Sequence, residues 1–573
     1  MQSQRLLVPS RESGQLSSRA PVIENKTERI INEVMTKNLN IIPLGGLRGI
    51  GKNMTVYEYG RNLVVVDCGV MFPANDMYGI DLVLPDFDYV VENQDRLRGV
   101  FLTHGHMDHI GALPYLLQHV DTPIYGTPLT LALAERQLAE KNLLHMADLR
   151  VMESGSQYSA GPFRISPFSV AHSIPDSVGL VIETPVGKIV HTGDYKLDET
   201  PAGGHTTDLD TLRRLTSGGV LAMLGDSTNA DKPGRTETEQ VVHATLDRLF
   251  DQARGQRIII ATFSSLLARL QEIIVLAQKH GRKVMLAGRS LVDNVELARE
   301  LGYLAVPDGL IVDAGTRCKP SEMVILATGA QGEPRSALNR MADGDHRQVQ
   351  VGQGDTIIIS GGTIPGNEED VGRMINKLFE RGANVIYGPM AAVHVSGHGS
   401  QGDMLAMLEA VKPDYLIPVH GEPRHLYLHR QLAEKAGIEP EHVFVLQEGV
   451  PWVSDGQLAW TEKPLQLADV WVDGRLVGEI GEIVMRDRRR LSQDGFIVAL
   501  IPVNKKRQLV GEPQIVSRGF VHLDEAEDLL EASRKEIKRH VKRGNHDMRR
   551  SLEDFFYRAT RSRPVVLPKF IQV

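Results

Sequence analysis

Thr103-His104-Gly105-His106-Met107-Asp108-His109 places four metal-capable side chains within six residues, directly after the apolar run Val100-Phe101-Leu102. His104 and His106 alternate, so an extended backbone points both imidazoles the same way. Asp108 and His109 are adjacent and need a turn to converge. An apolar helical pattern follows over 110–117, so the stretch reads as strand, metal-binding loop, helix. Three histidines and an aspartate this close together are poorly explained as a chance polar loop. A single tetrahedral zinc that keeps a position open for water rarely takes four ligands from one segment. Two metals sharing the site, each completed by distant residues, fit better, and the chemistry of such a pair is hydrolysis.

Three further segments offer donors. Val170-Ala171-His172-Ser173 ends an alternating apolar run. Ile189-Val190-His191-Thr192-Gly193-Asp194 is an apolar strand running into a Gly-Asp turn, and Ile417-Pro418-Val419-His420-Gly421-Glu422 is another strand ending in histidine. Any one alone reads as a core or loop residue. Strand ends converge in a layered sheet protein, and together these segments supply what two metals need.

The elements that must position them come from the rest of the chain. Its 573 residues allow roughly three to four domains. Apolar and charged fractions are ordinary for a globular protein, no apolar run approaches the roughly 18 residues of a membrane span, and no signal-peptide pattern opens the chain. The cysteines are Cys68 and Cys318 alone, so no disulfide framework is indicated and a reducing, cytoplasmic setting is expected. Cys68 sits in an apolar run and reads as a small buried hydrophobe. The net charge of −8 does not announce a nucleic-acid binder, although a cleft can focus positive potential and bound cations are not counted in it.

Residues 1–37 read as a disordered tail with a short helix near 29–34. From Leu39 onward, β-branched runs and Gly-rich turns, later joined by helical patterns, indicate a mixed sheet layered with helices. Between 236 and 388 the texture changes to short apolar strands (Arg257-Ile258-Ile259-Ile260-Ala261, Thr356-Ile357-Ile358-Ile359) alternating with amphipathic helices, the pattern of parallel α/β topology. Histidines of metal type resume after that block at His394, His398 and His420, which favours an insertion. The last unit holds one long helix over 524–543, acidic at its start and basic at its end. That order complements the helix dipole, and the basic tract that continues from it is either a solvated face or a surface for RNA or a partner.

At this point the chain resembles the metallo-β-lactamase superfamily and, within it, the β-CASP nucleases. The β-CASP resemblance rests on Asp226 in Leu224-Gly225-Asp226-Ser227-Thr228-Asn229, His398 in Val395-Ser396-Gly397-His398-Gly399, and His420 in Pro418-Val419-His420-Gly421-Glu422. Met71-Phe72-Pro73, Gly79-Ile80-Asp81-Leu82-Val83-Leu84-Pro85-Asp86 and the C-terminal unit extend it to the bacterial ribonuclease J family over nearly the whole chain after the tail. The resemblance implies an αββα sandwich with an inserted parallel α/β β-CASP domain and a small α+β C-terminal domain. The expected division is a metallo-β-lactamase domain over 38–235, the β-CASP domain over 236–388, the first domain again over 389–460, a linker over 461–488 and the C-terminal domain over 489–573.

Carried over by residue, the resemblance implies that His104, His106 and His172 hold one metal, Asp108, His109 and His420 the other, and Asp194 bridges them. No ligand position departs from the pattern. Asp67 looks like the family's orienting acid. Two zinc ions suit the imidazoles, and manganese is tolerable because carboxylates take part. The implied activity is hydrolysis of RNA phosphodiesters, 5′-to-3′ from 5′-monophosphate ends, in RNA decay and maturation. Asp108 is a candidate to take the water's proton. His398 is a candidate to contact the scissile phosphate or protonate the leaving oxygen, with Asp226 fixing its tautomer.

For phosphate, the candidates are His394, Val395, Ser396, Gly397 and His398, and Phe263-Ser264-Ser265 before a helix starting near Leu266. A serine there is an N-cap by default, and a helix start also holds anions. Internal cleavage needs the RNA to bypass such a pocket. Relatives also hold a structural calcium or manganese near Gly79, Asp81 and Asp473; both aspartates equally read as turn residues. A homodimer or tetramer and a place in an RNA-degradation complex are implied by the family alone, and no membrane is. The competing readings are a small-molecule metallo-hydrolase, a DNA-directed β-CASP nuclease and a non-enzymatic RNA-binding scaffold. The inserted block and His398 argue against the first, and the intact ligand set against the last.

Overall fold

The computed structural model describes residues 38–74, 76–201, 206–364, 366–521, 526–543 and 547–573. The tail over 1–37 with its expected short helix lies outside them, as do Asp524 and Glu525 of the expected C-terminal helix.

Strand residues alternate between two cores, and that alternation builds the layers. In Leu39–Pro43 and Asn62–Val66, Ile41, Val64 and Val66 enter one buried cluster, while Ile42, Leu63 and Val65 enter another. Successive side chains of a strand leave opposite faces, so a period of two divides them in this way. Phe163, Ile165, Leu180, Ile182 and Leu224 of the second sheet share the first cluster, which is therefore the layer between the sheets. The other cluster packs under the helices Leu113–Leu116 and Pro128–Glu140. On the far side Val181, Val190 and Met223 pack against Leu212, Met407 and Leu408 of the helices Leu209–Leu215 and Gln401–Val411. Helix, sheet, sheet, helix is the expected sandwich.

The second sheet shows that the middle of the chain is an insertion. Val220–Asp226 lies between Gly187–His191 and Pro413–Val419 and runs parallel to both, with Asp226 opposite Val419. The chain leaves this sheet at Asp226 and returns to the adjacent position only at Pro413. What it builds in between is a five-stranded sheet, with Arg257–Ala261 central and every pairing parallel. Here too neighbours part company: Ile258 and Ile260 pack under the helices Leu267–Lys279 and Arg289–Glu300, and Ile259 under Ala337–Asp343 and Glu368–Glu380.

The segment over 461–488, expected as a linker, is built into the structure. Val470–Asp473 pairs with Leu82–Leu84, and the helix Glu482–Asp494 runs through the expected boundary. Of its apolar residues, Trp471, Ile480 and Met485 pack on Ile80 and Val83, and Val472 joins the core that holds Leu84, long-range contacts that local pattern does not show. The last unit packs the helices Glu527–Lys542 and Met548–Thr560 on a sheet of Phe496–Val503, Gln514–Arg518 and Val565–Gln572. Among the described residues no helix is long and apolar enough to cross a membrane.

Candidate metal centre

The donors sit just beyond strand ends. Leu97–Phe101 leads into His104, and His106, extended at φ −73° and ψ 150°, caps the helix Met107–Ile110 that carries Asp108 and His109 on its first turn. His172 follows Phe163–Ser169, Asp194 follows Gly187–His191, and His420 follows Pro413–Val419. Asp67 and His420 have φ of 62° and 54°, a region that residues other than glycine seldom adopt, and both are strand-end side chains of this site. A Cβ on Gly69 would lie 1.6 Å from the Asp108 carbonyl oxygen, so only glycine lets these loops close.

Three groups of donors result; one joins Asp194, Asp226, His398 and His420, and the other two hold the ligand residues read from the sequence. His104, His106 and His172 bring ligand atoms within 4.8 Å of one another, and so do Asp108, His109, Asp194 and His420. These are the seven residues singled out in the sequence. His104 Nε2 is 3.0 Å and His172 Nε2 3.2 Å from His106 Nδ1. The outer nitrogens decide what the inner ones carry. His172 Nδ1 stands 2.8 Å from the Gly397 carbonyl oxygen, which only accepts, so Nδ1 holds the hydrogen and Nε2 presents a lone pair. His109 Nδ1 likewise donates to Asp67 Oδ2 at 2.8 Å. The Thr103 hydroxyl donates to Asp67 and accepts from His104 Nδ1 at 3.0 Å. Burial lowers His106 to about 4 and holds His104 and His172 well below the ordinary imidazole range. Neutral rings that turn lone pairs toward one point fit a cation at that point.

Asp194 faces both sets. Its Oδ2 is 3.2 Å from His109 Nε2, 3.6 Å from His104 Nε2 and 3.7 Å from His172 Nε2, and its Oδ1 is 3.7 Å from His420 Nδ1. Asp108 Oδ2 lies 3.3 Å from His420 Nε2. Among the described residues, Asp108, Asp194 and Asp226 form ion pairs with histidines and with no lysine or arginine. Burial pushes these carboxyls up, but the rings outweigh it and hold all three below the usual carboxylate range. In return, and against burial, His109 is raised and His420 is pushed up to about 10. Ring protons thus balance the carboxylates, and a divalent ion would displace them.

His398 stands over this cluster. Its Nδ1 donates to Asp226 Oδ2 at 2.8 Å, and its Nε2 lies 4.0 Å from Asp194 Oδ2. The other Asp226 oxygen accepts from the Thr228 amide at 3.0 Å and its hydroxyl at 2.8 Å. A Cβ on Gly397 would sit 2.9 Å from the His172 ring, so glycine lets this segment pass close over the ligands.

The phosphate candidates fall into two groups. Ser396 Oγ accepts from Asn229 Nδ2 at 2.8 Å and from the His398 amide at 3.1 Å, which ties it into its own loop beside the buried Val395. Phe263 and His394 rings are 6.5 Å apart, so the inserted block brings its strand end to the His394 segment. The serine cap expected before the helix is not formed: Leu266 takes the cap position without a side-chain bond, because the Leu267 amide bonds the Ser265 carbonyl at 2.8 Å and tightens the turn. Asn294 holds the Ser264 carbonyl at 3.1 Å. At the structural-cation candidates, Asp81 Oδ2 accepts from the Gly474 amide at 2.7 Å. Asp473 pairs with Arg488 at 2.5 Å, and a Cβ on Gly79 would lie 4.0 Å from Asp473 Oδ2 and 2.8 Å from Arg488 Nη1, so Gly79, Asp473 and Arg488 are neighbours.

Family models match nearly all of this architecture. Residues 47–218 match the metallo-beta-lactamase superfamily, 255–378 the ribonuclease J beta-CASP domain, 385–446 a Zn-dependent metallo-hydrolase RNA specificity domain, and 483–573 the ribonuclease J C-terminal domain. Ribonuclease J2 of Bacillus subtilis is 40% identical over 553 residues, 94% of this chain and 99% of the relative. The chain belongs to the ribonuclease J family. Ribonuclease J 1 of Streptococcus pyogenes is 38% identical over 92% of this chain and 97% of its own length, and ribonuclease J of Corynebacterium glutamicum 40% identical over 93% and 76%. A crystal structure of a protein of unknown function from Enterococcus faecalis, 13% identical, shares the fold over 73% of this chain and all of its own, with a TM-score of 0.50.

For this ribonuclease J family member the sequence reading missed polar neighbours of the ligands. Asn53 Nδ2 lies 3.1 Å from both His109 Nε2 and the Asp108 carbonyl oxygen. Thr228 Oγ1 lies 2.7 Å from His420 Nδ1. Asn53 ends a glycine-rich loop and Thr228 follows Asp226 by two residues; both signals were present, but neither residue type announces a metal site.

Proposed function

We propose that the chain is a metal-dependent ribonuclease that degrades RNA 5′-to-3′ from 5′-monophosphate ends. The observation that carries this reading is His398, braced by Asp226, directly over seven donors whose carboxylates, among the described residues, pair with no lysine or arginine. The names of the relatives and the RNA-specificity match support RNA as the substrate. His104, His106 and His172 would hold one divalent ion, Asp108, His109 and His420 the other, with Asp194 shared. When bound, the ions supply Lewis acidity that makes water nucleophilic near neutral pH and offsets charge at the phosphoryl group. Zinc suits the imidazoles and manganese the carboxylates.

The chain's own residues do the rest. Asp108 is the most open of the carboxylates, its side chain 25% exposed, and is placed to take the water's proton. His398 is raised because Asp226 and Asp194 outweigh burial, so Nε2 carries a proton for the leaving 3′-oxygen. Water, not the ribose 2′-hydroxyl, attacks, so products carry 5′-phosphate and 3′-hydroxyl ends. Phe263, Ser264, Ser265 and the segment from His394 to His398 would anchor the 5′-phosphate, and endonucleolytic cuts would need RNA to bypass them. Gly79, Asp81 and Asp473 are proposed to hold a structural calcium or manganese, with Arg488 giving way. A homodimer, a cytoplasmic setting, a degradation complex and the domain division given above, with 461–488 as a paired element, complete the reading.

The test uses one RNA sequence with 5′-monophosphate, triphosphate or hydroxyl ends, beside the matched DNA. Monophosphate RNA should be degraded fastest. Equal rates on all three would remove the anchored end, faster cleavage of DNA would favour a DNA-directed nuclease, and full activity of His106→Ala or Asp108→Ala would sink the metal chemistry.

A further inference from the structure

A second buried group of charges joins the inserted block to the sandwich. Arg269, on the helix Leu267–Lys279, is fully buried. Its guanidinium pairs with Glu239 and, at 3.2 Å, with Glu272. Its Nη1 donates to Ser360 Oγ at 2.6 Å and to the Val393 carbonyl at 2.9 Å. Glu239 also pairs at 3.4 Å with Lys196, which in turn pairs with Asp198 at 3.1 Å. Lys196 follows Asp194 by two residues, and its amide donates to the Ala171 carbonyl, next to His172, at 2.8 Å. The ions therefore run from the metal loops to the insert without a break.

Their far end is the carbonyl just before His394. Val393 O receives Arg269 Nη1 and also Ser360 Oγ at 2.7 Å. Beyond it the segment is held by the sandwich: Gly397 O by His172, His398 by Asp226, and the Gly399 amide by the Tyr195 carbonyl at 2.6 Å. The five residues from His394 to His398 thus hang between an insert anchor and the metal ligands. Buried ion pairs are weak evidence for stability, since apolar residues of like volume often do as well; what a forked cation adds is fixed geometry.

We infer that Arg269 is a positioning residue: through Glu239 and Lys196 it holds the segment His394 to His398 at a set distance from the metal ligands, and so sets how many nucleotides separate an anchored 5′ end from the cleaved bond. This rests on the 5′-anchored reading proposed above. A structural role alone would lower the amount of active enzyme without altering product length.

The experiment measures the length of the first product released from 5′-labelled monophosphate RNA by metal-loaded full-length protein, with KM and kcat. Wild type should release one length. Arg269→Lys, which keeps the charge but loses the fork, and Glu239→Gln/Arg269→Met, which removes the pair together, should release mixed lengths with kcat/KM down about ten- to a hundredfold. Metal content and hydrolysis of bis(p-nitrophenyl) phosphate, which has no end to anchor, should stay as in wild type. Ser360→Ala removes one donor to Val393 and one acceptor of Arg269 but leaves every ion in place, and should broaden product length to a smaller degree even where the Arg269 variants fold poorly. A single product length in all soluble variants with unchanged KM overturns the inference alone. A wild-type enzyme that releases no defined first product overturns the 5′-anchored reading, and the inference with it.

Discussion

Two buried charge groups lie two residues apart in the chain, Asp194 in one and Lys196 in the other, and they are balanced in opposite ways. Around Arg269 the acids Asp198, Glu239 and Glu272 meet resident cations. Around Asp194, among the described residues, the acids form ion pairs with imidazoles alone. The first group carries its own basic side chains, the guanidinium of Arg269 and the amine of Lys196, each set between acids. The second borrows protons, and those leave when a harder cation arrives. Burial alone does not mark a metal site; burial of carboxylates among rings with no lysine or arginine does.

Breaking that contrast should have its largest effect at Asp194. Asp194→Asn keeps the shape and removes the charge shared by both donor sets. Activity on RNA should fall by about three orders of magnitude or more, with metal content reduced. Asp198→Asn, the matched change in the other group, should keep its metal. Mass-spectrometric metal analysis beside RNA turnover decides it: an Asp194→Asn protein that keeps its metals and its activity ends the comparison.

His398→Ala comes next. It takes away a proton donor and leaves all seven proposed ligands, so kcat should fall about 10²- to 10⁴-fold while metal content holds. Asp226→Asn leaves the ring in place and frees its orientation, so its loss should be smaller. Metal loss in His398→Ala would move this residue from proton donor to ligand, an outcome the grouping of Asp194, Asp226, His398 and His420 makes worth measuring.

The metal loop was legible because its chemistry is local. His104, His106, Asp108 and His109 share one short stretch of chain, and β-branched runs between Gly-rich turns indicated a mixed sheet layered with helices; that Ile41 and Ile42, or Val64 and Val65, part into two cores is shown by the structure alone. The parallel insert was equally legible from its apolar strand runs. What the sequence hid is what depends on remote partners. Arg269 reads as one of several charges on an amphipathic helix, and nothing nearby shows that Glu239 and Val393 bury it. The strand Val470–Asp473 looked like linker because its partner, Leu82–Leu84, lies far back in the chain. The serine cap failed for a local reason instead, since a turn closed between the Ser265 carbonyl and the Leu267 amide displaced the default.

Asp67 tests the contrast one step outward. It donates nothing to the site; it accepts from His109 Nδ1 and from the Thr103 hydroxyl and amide, and so fixes which nitrogen of His109 faces Asp194. Asp67→Asn should lower metal affinity about ten- to a hundredfold, with kcat partly recovered at saturating metal. Competition with a chelator of known affinity gives the number, and unchanged affinity would show that the tautomer is fixed elsewhere.

The smallest effect belongs to the first group, at the one member whose balance is imperfect. Glu272, with a side chain 13% exposed, is pushed up to about 7 by burial and by Glu239, against the pull of Arg269. The folded protein therefore holds this proton more tightly than the unfolded chain does, so the stability it contributes is full below the ordinary carboxyl range. That stability is lost as pH rises through about 7. Glu272→Gln mimics the protonated form. It should match wild type near pH 4.5 and exceed it at pH 8 by about 1 to 2 kcal/mol, discounted for residual exposure. Urea unfolding of both proteins at the two pH values reads this directly, with the protein free of metal so that the other group adds the same term to each. A glutamine variant less stable than wild type at pH 8 would mean that Glu272 is ionised and needed by Arg269, and the second group would then be balanced by charge at every member.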